Sequence, residues 1–287
     1  MNNNKTRFLQ FLRLLRPHQW IKNSFVFAGL IFAHAWHNGF LVRQAIVTAI
    51  AFSLTASAVY VFNDICDRKL DLTHTKRKTR VLAGGFINTQ TALLLAAILA
   101  TIGLILGFLV AQNVGLILII YIILNIAYSL LLKRIIIVDV IIIATGFLLR
   151  VLAGTIGIGI PPSHWILICT FMLTLFLGFS KRRSELRYIG KTLVGPVKTL
   201  QGYSKNLLDS LLILTAAAAI ISYGFYAFHQ NKLYTVLFVA IGISRYSYLL
   251  VMGKNNGLDI AHDLFYDRIL LFTVLFWLAG VLVVSDT

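Results

Sequence analysis

Apolar residues along this chain gather into runs of about twenty, close to the length an α-helix needs to cross a ~30 Å hydrocarbon layer, and the polar residues collect between the runs. The pattern predicts helical spans near residues 24–42, 44–63, 90–111, 114–132, 136–157, 164–180, 209–229, 232–252 and 268–285. That pattern predicts an all-α, polytopic membrane protein of about nine transmembrane helices in one bundle, a single integral membrane domain over 1–287. No boundary, low-complexity stretch or soluble module interrupts it. The Met1–Arg16 stretch is polar and basic and lacks a signal-peptide pattern.

Composition agrees with the pattern. Of 287 residues, 59% are hydrophobic and 13% charged, where an ordinary soluble domain carries roughly a quarter charged. Cys66 and Cys169 are far apart in sequence and imply no disulfide framework. His34, His37, His164 and His229 show no metal-ligand spacing and read as interfacial side chains.

Charge adds direction. Of the 26 Lys and Arg residues, 22 fall in the N-terminal segment, the 64–89 loop, Lys133–Arg134, the 181–205 loop and the last loop (Lys254, Arg268). Arg43 and Lys232 lie on the other side, and Arg150 and Arg245 fall inside spans. That asymmetry places the N-terminus in the cytoplasm and, after an odd number of spans, the C-terminus outside the cell membrane. The net charge of +16 then belongs to one face. Membrane lipid headgroups and phosphate-bearing substrates suit it as partners, and nucleic acid does not.

The ten acidic residues are placed unevenly. Three lie in Asn63-Asp64-Ile65-Cys66-Asp67-Arg68-Lys69-Leu70-Asp71, at the end of the second span. Continued as helix, Asn63, Asp64, Asp67 and Asp71 share one broad face. Carboxylates packed so closely repel unless a cation sits among them, and an all-oxygen donor set suits Mg²⁺, which keeps waters and bridges to substrate phosphates. A solvated acidic helix end is the plainer alternative. His74, Lys76, Arg77, Lys78 and Arg80 follow at once, and acid then base at a membrane mouth points to metal plus phosphate oxygens. Asp139 opens the fifth span among Val, Ile, Ala and Thr, where a carboxylate is expensive without a wet cavity and a partner. Arg150 returns to nearly the same helix face about 16 Å deeper; it either lines a cavity or holds carbonyls of a neighbouring helix. In Ser180-Lys181-Arg182-Arg183-Ser184-Glu185-Leu186-Arg187, Glu185 is spaced to pair with Lys181 or Arg182, although a plain positive loop would carry the same bases.

Together these segments resemble the UbiA-type superfamily of intramembrane prenyltransferases, and within it the decaprenyl-phosphate phosphoribosyltransferase branch. The resemblance runs through Arg16-Pro17-His18-Gln19-Trp20-Ile21-Lys22-Asn23, the Asn63–Asp71 motif, Tyr128-Ser129 with Leu132-Lys133 and Asp139, Phe147-Leu148-Leu149-Arg150 with Ala153-Gly154, and Lys181-Arg182-Arg183-Ser184-Glu185. Tyr223-Gly224, Arg245-Tyr246 and Asp267-Arg268 also fit. The Asn63–Asp71 motif marks the superfamily; Leu132-Lys133 with a single Asp139, and Lys181–Glu185, point to the branch. His74-Thr75 and Arg80-Val81 stand where the family usually has His-Pro and Arg-Pro, which affects loop stiffness and leaves charge alone.

The resemblance implies nine helices around an active-site cavity open to the cytoplasmic side. It implies Mg²⁺-dependent transfer of a 5-phosphoribosyl group from phosphoribosyl diphosphate to a polyprenyl (decaprenyl) phosphate, releasing diphosphate, in arabinan and cell-envelope precursor synthesis. Asp64, Asp67 and Asp71, with Asn63, would hold the metal. Asp139 joins those aspartates as a catalytic candidate. Lys22, Asn23, Asn63, Lys76, Arg77, Lys78, Arg80, Tyr128, Lys133, Arg150, Lys181, Arg182 and Glu185 are the substrate-binding candidates. The acceptor phosphate is already ionised, so no general base is required. A rival within the superfamily is an aromatic prenyltransferase using a prenyl diphosphate; such enzymes usually show a second carboxylate-rich motif, and here Asp139 stands alone. A transporter of an anionic solute or lipid is the remaining alternative. It would show inverted repeats, and the chain shows no internal symmetry.

Overall fold

The computed structural model describes residues 3–72, 79–189, 200, 202–253, 263 and 266–282. Among them the chain is helical throughout: α1 (Asn3–Leu15), a 3-10 helix (Pro17–Phe27), α2 (Ala28–Phe32), a second 3-10 turn (Ala35–His37), α3 (Gly39–Leu72), α4 (Thr89–Val110) and α5 (Gln112–Leu130). A 3-10 turn (Leu132–Arg134), α6 (Val138–Gly157), α7 (His164–Ile189), α8 (Lys205–His229), α9 (Tyr234–Met252) and α10 (Arg268–Leu282) follow. Seven of these, α3 to α9, are long and apolar enough to cross a membrane, and α10 is a shorter apolar helix. The chain reads as a multi-pass membrane protein.

The first expected span, 24–42, is not one helix. Its place is taken by the 3-10 helix, α2 and the 3-10 turn, broken by His34 in a left-handed conformation (φ 51°). Asn38 then caps α3, its Oδ1 accepting the Phe40 and Leu41 amides at 3.0 and 3.3 Å. A 3-10 helix has three residues per turn, so Pro17, Trp20, Asn23 and Val26 lie along one edge. Contacts follow that edge: the Trp20 indole donates to Ser57 at 2.9 Å, the Asn23 amide to Ser53 at 2.8 Å, and the Val26 carbonyl lies against Gly154. A Cβ on Gly154 would fall 1.8 Å from that carbonyl. Only glycine admits this approach.

The tertiary contacts divide into two compact units, Met1–Lys133 with Leu149–Pro161 and Arg134–Leu148 with Pro162–Thr287. In the first, α3 packs on α4 and α5 through small residues: Ala92, Ala96, Leu99, Gly103 and Gly107 are the buried face of α4, and a Cβ on Gly103 would meet Thr55. Apolar helices in lipid gain little from burial as such, so close backbone approach supplies the association. In the second unit, Val140 and Ala144 of α6 join Phe176, Phe179, Leu208, Leu212, Tyr246 and Leu249 in one core. Helix α6 contributes a segment to each unit.

Candidate functional site

The aspartate motif lies on the last turns of α3, a 34-residue helix that continues past its apolar stretch to Leu72. Asp64 and Asp71 are buried, and Asp67 is partly exposed. Each carboxylate meets a cation: Asp64 pairs with Arg16 and at 3.4 Å with Arg80, Asp71 with Arg80 at 2.8 Å, and Asp67 with Lys133. The cation that closely packed carboxylates require is therefore supplied by three side chains of the protein. Arg16 is brought there by a left-handed backbone (φ 52°) at the junction of α1 and the 3-10 helix, and it lies over the Tyr60 ring. Arg16 is not among the expected site residues; its signal in the sequence is its place at the head of the Arg16–Asn23 segment.

Two acceptor oxygens in this group have no partner among the described residues. Asn63 donates its amide to Asp67 at 3.2 Å, while among those residues nothing hydrogen-bonds to the buried Asn63 Oδ1 and Asp71 Oδ1. A buried acceptor left bare costs free energy, and a hard cation beside either oxygen would satisfy it. The donor set is all oxygen, as Mg²⁺ prefers. Among the described residues no three His, Cys, Asp or Glu side chains converge on a metal position as they stand. The residues fit the ion in kind, with their carboxylates at present held by Arg16, Arg80 and Lys133.

A second polar group lies in the apolar part of the first unit. Arg150, buried on α6, donates from Nε to Asn23 at 2.8 Å and from Nη2 to the Tyr121 hydroxyl at 3.0 Å. Its guanidinium lies over the rings of Phe52 and Tyr121. These bonds tie α6 to neutral side chains of the 3-10 helix and α5, which neither of the two readings open for Arg150 named. Lys22 and Tyr128 are half-buried in the same unit.

The second unit holds the Asp139 group. Asp139 is fully buried in the first turn of α6. Its Oδ2 accepts Arg182 Nε at 2.7 Å and its Oδ1 the Tyr203 hydroxyl at 2.7 Å. Arg182 also pairs with Glu185 through Nη1 at 2.6 Å, the intrahelical pair that the spacing allowed. Arg183 pairs with Asp209, and Lys181 is exposed. Burial pushes the Tyr203 phenol well above its ordinary value, and the hydrogen bond to Asp139 adds to the shift. Tyr203, like Arg16, is absent from the expected site residues: one tyrosine in a polar loop gives no periodic signal. Lys76, Arg77 and Lys78 lie outside the described residues.

The UbiA prenyltransferase family matches residues 23–274. The chain belongs to this family. Among its relatives is the decaprenyl-phosphate phosphoribosyltransferase of Mycolicibacterium smegmatis, 30% identical over 225 residues, covering 77% of this chain and 71% of that protein. The protein of the same name from Mycobacterium tuberculosis is 28% identical over 282 residues, 94% of this chain and 92% of its own length. Among solved structures, a UbiA homologue from Archaeoglobus fulgidus bound to GPP and Mg²⁺ matches with a TM-score of 0.72 at 18% identity, covering 96% of this chain and all of that one. In this UbiA fold Asp64 and Asp71 lie on α3, Asp139 on α6 and Arg182 on α7.

Proposed function

We propose that the chain transfers a 5-phosphoribosyl group from phosphoribosyl diphosphate to a polyprenyl phosphate, with Mg²⁺, at the cytoplasmic face of the cell membrane. The observation that carries the reading is the buried Asp64–Asp71 group with its two bare acceptor oxygens beside Arg16, Arg80 and Lys133. The names of its relatives support the substrate class, and the excess of bases in alternate loops supports the orientation.

In the reaction the C1–O bond to diphosphate breaks, an oxygen of the acceptor phosphate bonds to C1, and diphosphate leaves. Asn63, Asp64, Asp67 and Asp71 would hold the metal, which when bound neutralises charge developing on the diphosphate. Arg16, Arg80 and Lys133, paired with aspartates here, then become available to phosphate oxygens. The acceptor phosphate is ionised at neutral pH, so the site needs to orient it and takes no proton from it. Arg182 is the candidate for a donor phosphate in the second unit. The polyprenyl tail lies along apolar helix faces.

Membranes containing the chain, incubated with labelled phosphoribosyl diphosphate, polyprenyl phosphate and Mg²⁺, should form a charged, lipid-extractable product, and EDTA should stop it. Asp64→Ala and Asp67→Ala proteins should insert normally and form none. Thermal stabilisation by a prenyl diphosphate but not by phosphoribosyl diphosphate would reverse the assignment in favour of aromatic prenyl transfer.

A further inference from the structure

We infer that Tyr203 is a positioning residue for the Asp139–Arg182 pair: its hydroxyl holds the turn that opens α6, and with it the carboxylate that aims Arg182. The inference rests on reading Arg182 as a ligand of the phosphate-bearing donor. Three observations carry it.

The first is the hydroxyl's two bonds. It accepts the Ile137 amide at 2.6 Å and donates to Asp139 at 2.7 Å, so one oxygen ties the backbone just before α6 to the buried carboxylate two residues on.

The second is the state of that backbone. Ile137 has φ 68°, a conformation that a β-branched residue adopts only under constraint from its surroundings. Without the Tyr203 oxygen, the Ile137 amide loses the partner that holds it there, and the register of Asp139 goes with it.

The third is how firmly Tyr203 is held. It directly precedes Ser204, the N-cap of α8, whose Oγ accepts the Leu207 amide at 3.2 Å. Tyr203 and Leu208 therefore occupy the two positions of a hydrophobic staple, and both belong to the core of this unit. Gly202 lets the segment sit directly on the start of α6, because a Cβ there would come within 2.2 Å of Ile136 Cδ1. Ring and hydroxyl are thus placed by separate contacts, and Tyr203→Phe removes the second while keeping the first.

The test uses the full chain in lipid nanodiscs. Tyr203→Phe should keep the parent's KM for polyprenyl phosphate and raise the KM for phosphoribosyl diphosphate about tenfold or more, the range expected for a lost hydrogen bond to a charged group. Arg182→Gln should show a defect at least as large, and adding Tyr203→Phe to it should change nothing further, because Tyr203 acts on the donor only through Asp139 and Arg182. Ile137→Gly, which takes this φ without strain, should recover part of the donor KM in the Tyr203→Phe background; it also serves if Tyr203→Phe alone folds poorly. An unchanged donor KM in Tyr203→Phe, or defects of Tyr203→Phe and Arg182→Gln that multiply, would overturn the inference. A parent that turns over no phosphoribosyl diphosphate overturns the donor assignment instead. The Kd for inorganic diphosphate with Mg²⁺ then decides: raised in both variants, it supports the role of Tyr203; unchanged in Tyr203→Phe, it removes that role.

Discussion

A guanidinium inside an apolar helix is tolerated when its N–H groups and its flat faces find partners, and Arg150 shows how this is done. Its bonds to Asn23 and Tyr121 and its place over two rings use the planar fork that lysine lacks. Arg150→Lys keeps the charge and should lower stability by about 1–3 kcal/mol, read as a drop in Tm in detergent. A parental Tm would mean that charge alone matters at this position. The sequence shows that an arginine lies in a span; it does not show that Asn23, 127 residues earlier, is its partner. For the same reason Asp139 was legible as a costly carboxylate and Tyr203 was not. The cost of burying a charge is local and can be read from neighbouring residues. The partner that offsets it arrives from elsewhere in the chain.

Between elements, the 3-10 helix and α6 meet at Gly154 with no room for a side chain. Gly154→Ala should therefore cost about 1–3 kcal/mol through overpacking, whereas Gly224→Ala, whose added Cβ meets nothing within 4 Å, should be neutral or slightly stabilising. Equal Tm values for the two variants would refute the close contact. A second tie joins α9 to α10. Asp267 pairs with Arg245 at 2.7 Å and caps α10 by accepting the Leu270 amide at 2.9 Å. Arg245 holds the Asp267 carboxyl below its ordinary value, and the cap adds to this. Its folded value lies under the unfolded value of about 3.9, so its contribution is complete above about pH 4 and is lost as the pH falls through the folded value. Asp267→Asn keeps a cap but not the pair. It should melt below the parent at pH 7, and the gap should close below pH 4. A gap unchanged between pH 7 and pH 3 would show that charge plays no part.

If α3 to α10 each cross the membrane, the chain ends after α3, α5, α7 and α9 share one side. Reporters fused after residues 85, 134, 190 and 260 should then read cytoplasmic, and those after 112, 161 and 231 external. A fusion after 42 asks whether the broken segment 17–37 also crosses. Eleven residues of 3-10 helix rise about 22 Å and five of α-helix about 7.5 Å, enough for the ~30 Å hydrocarbon layer, so the expected reading is external. A cytoplasmic signal at 42 would place that segment on the membrane surface, and an external one at 85 would undo the assignment of the aspartate group to the cytoplasmic face. By itself the sequence determined the all-helical class, the positions of α4 to α6 and α8 to α10 within about four residues, the apolar parts of α3 and α7, which each run nine residues further, and the acid-then-base order of the Asn63–Asp71 region. Each of these follows from the length of apolar runs and from spacing along one helix. Tertiary structure alone decided the rest: that residues 17–27 wind as a 3-10 helix, that Arg16, Arg80 and Lys133 take the carboxylates, and that Tyr203 reaches Asp139. The physical reason is common to all three. A segment docked on Gly154 adopts whatever helix its partners admit, and a buried charge takes its counter-charge from whichever residue packing brings within reach.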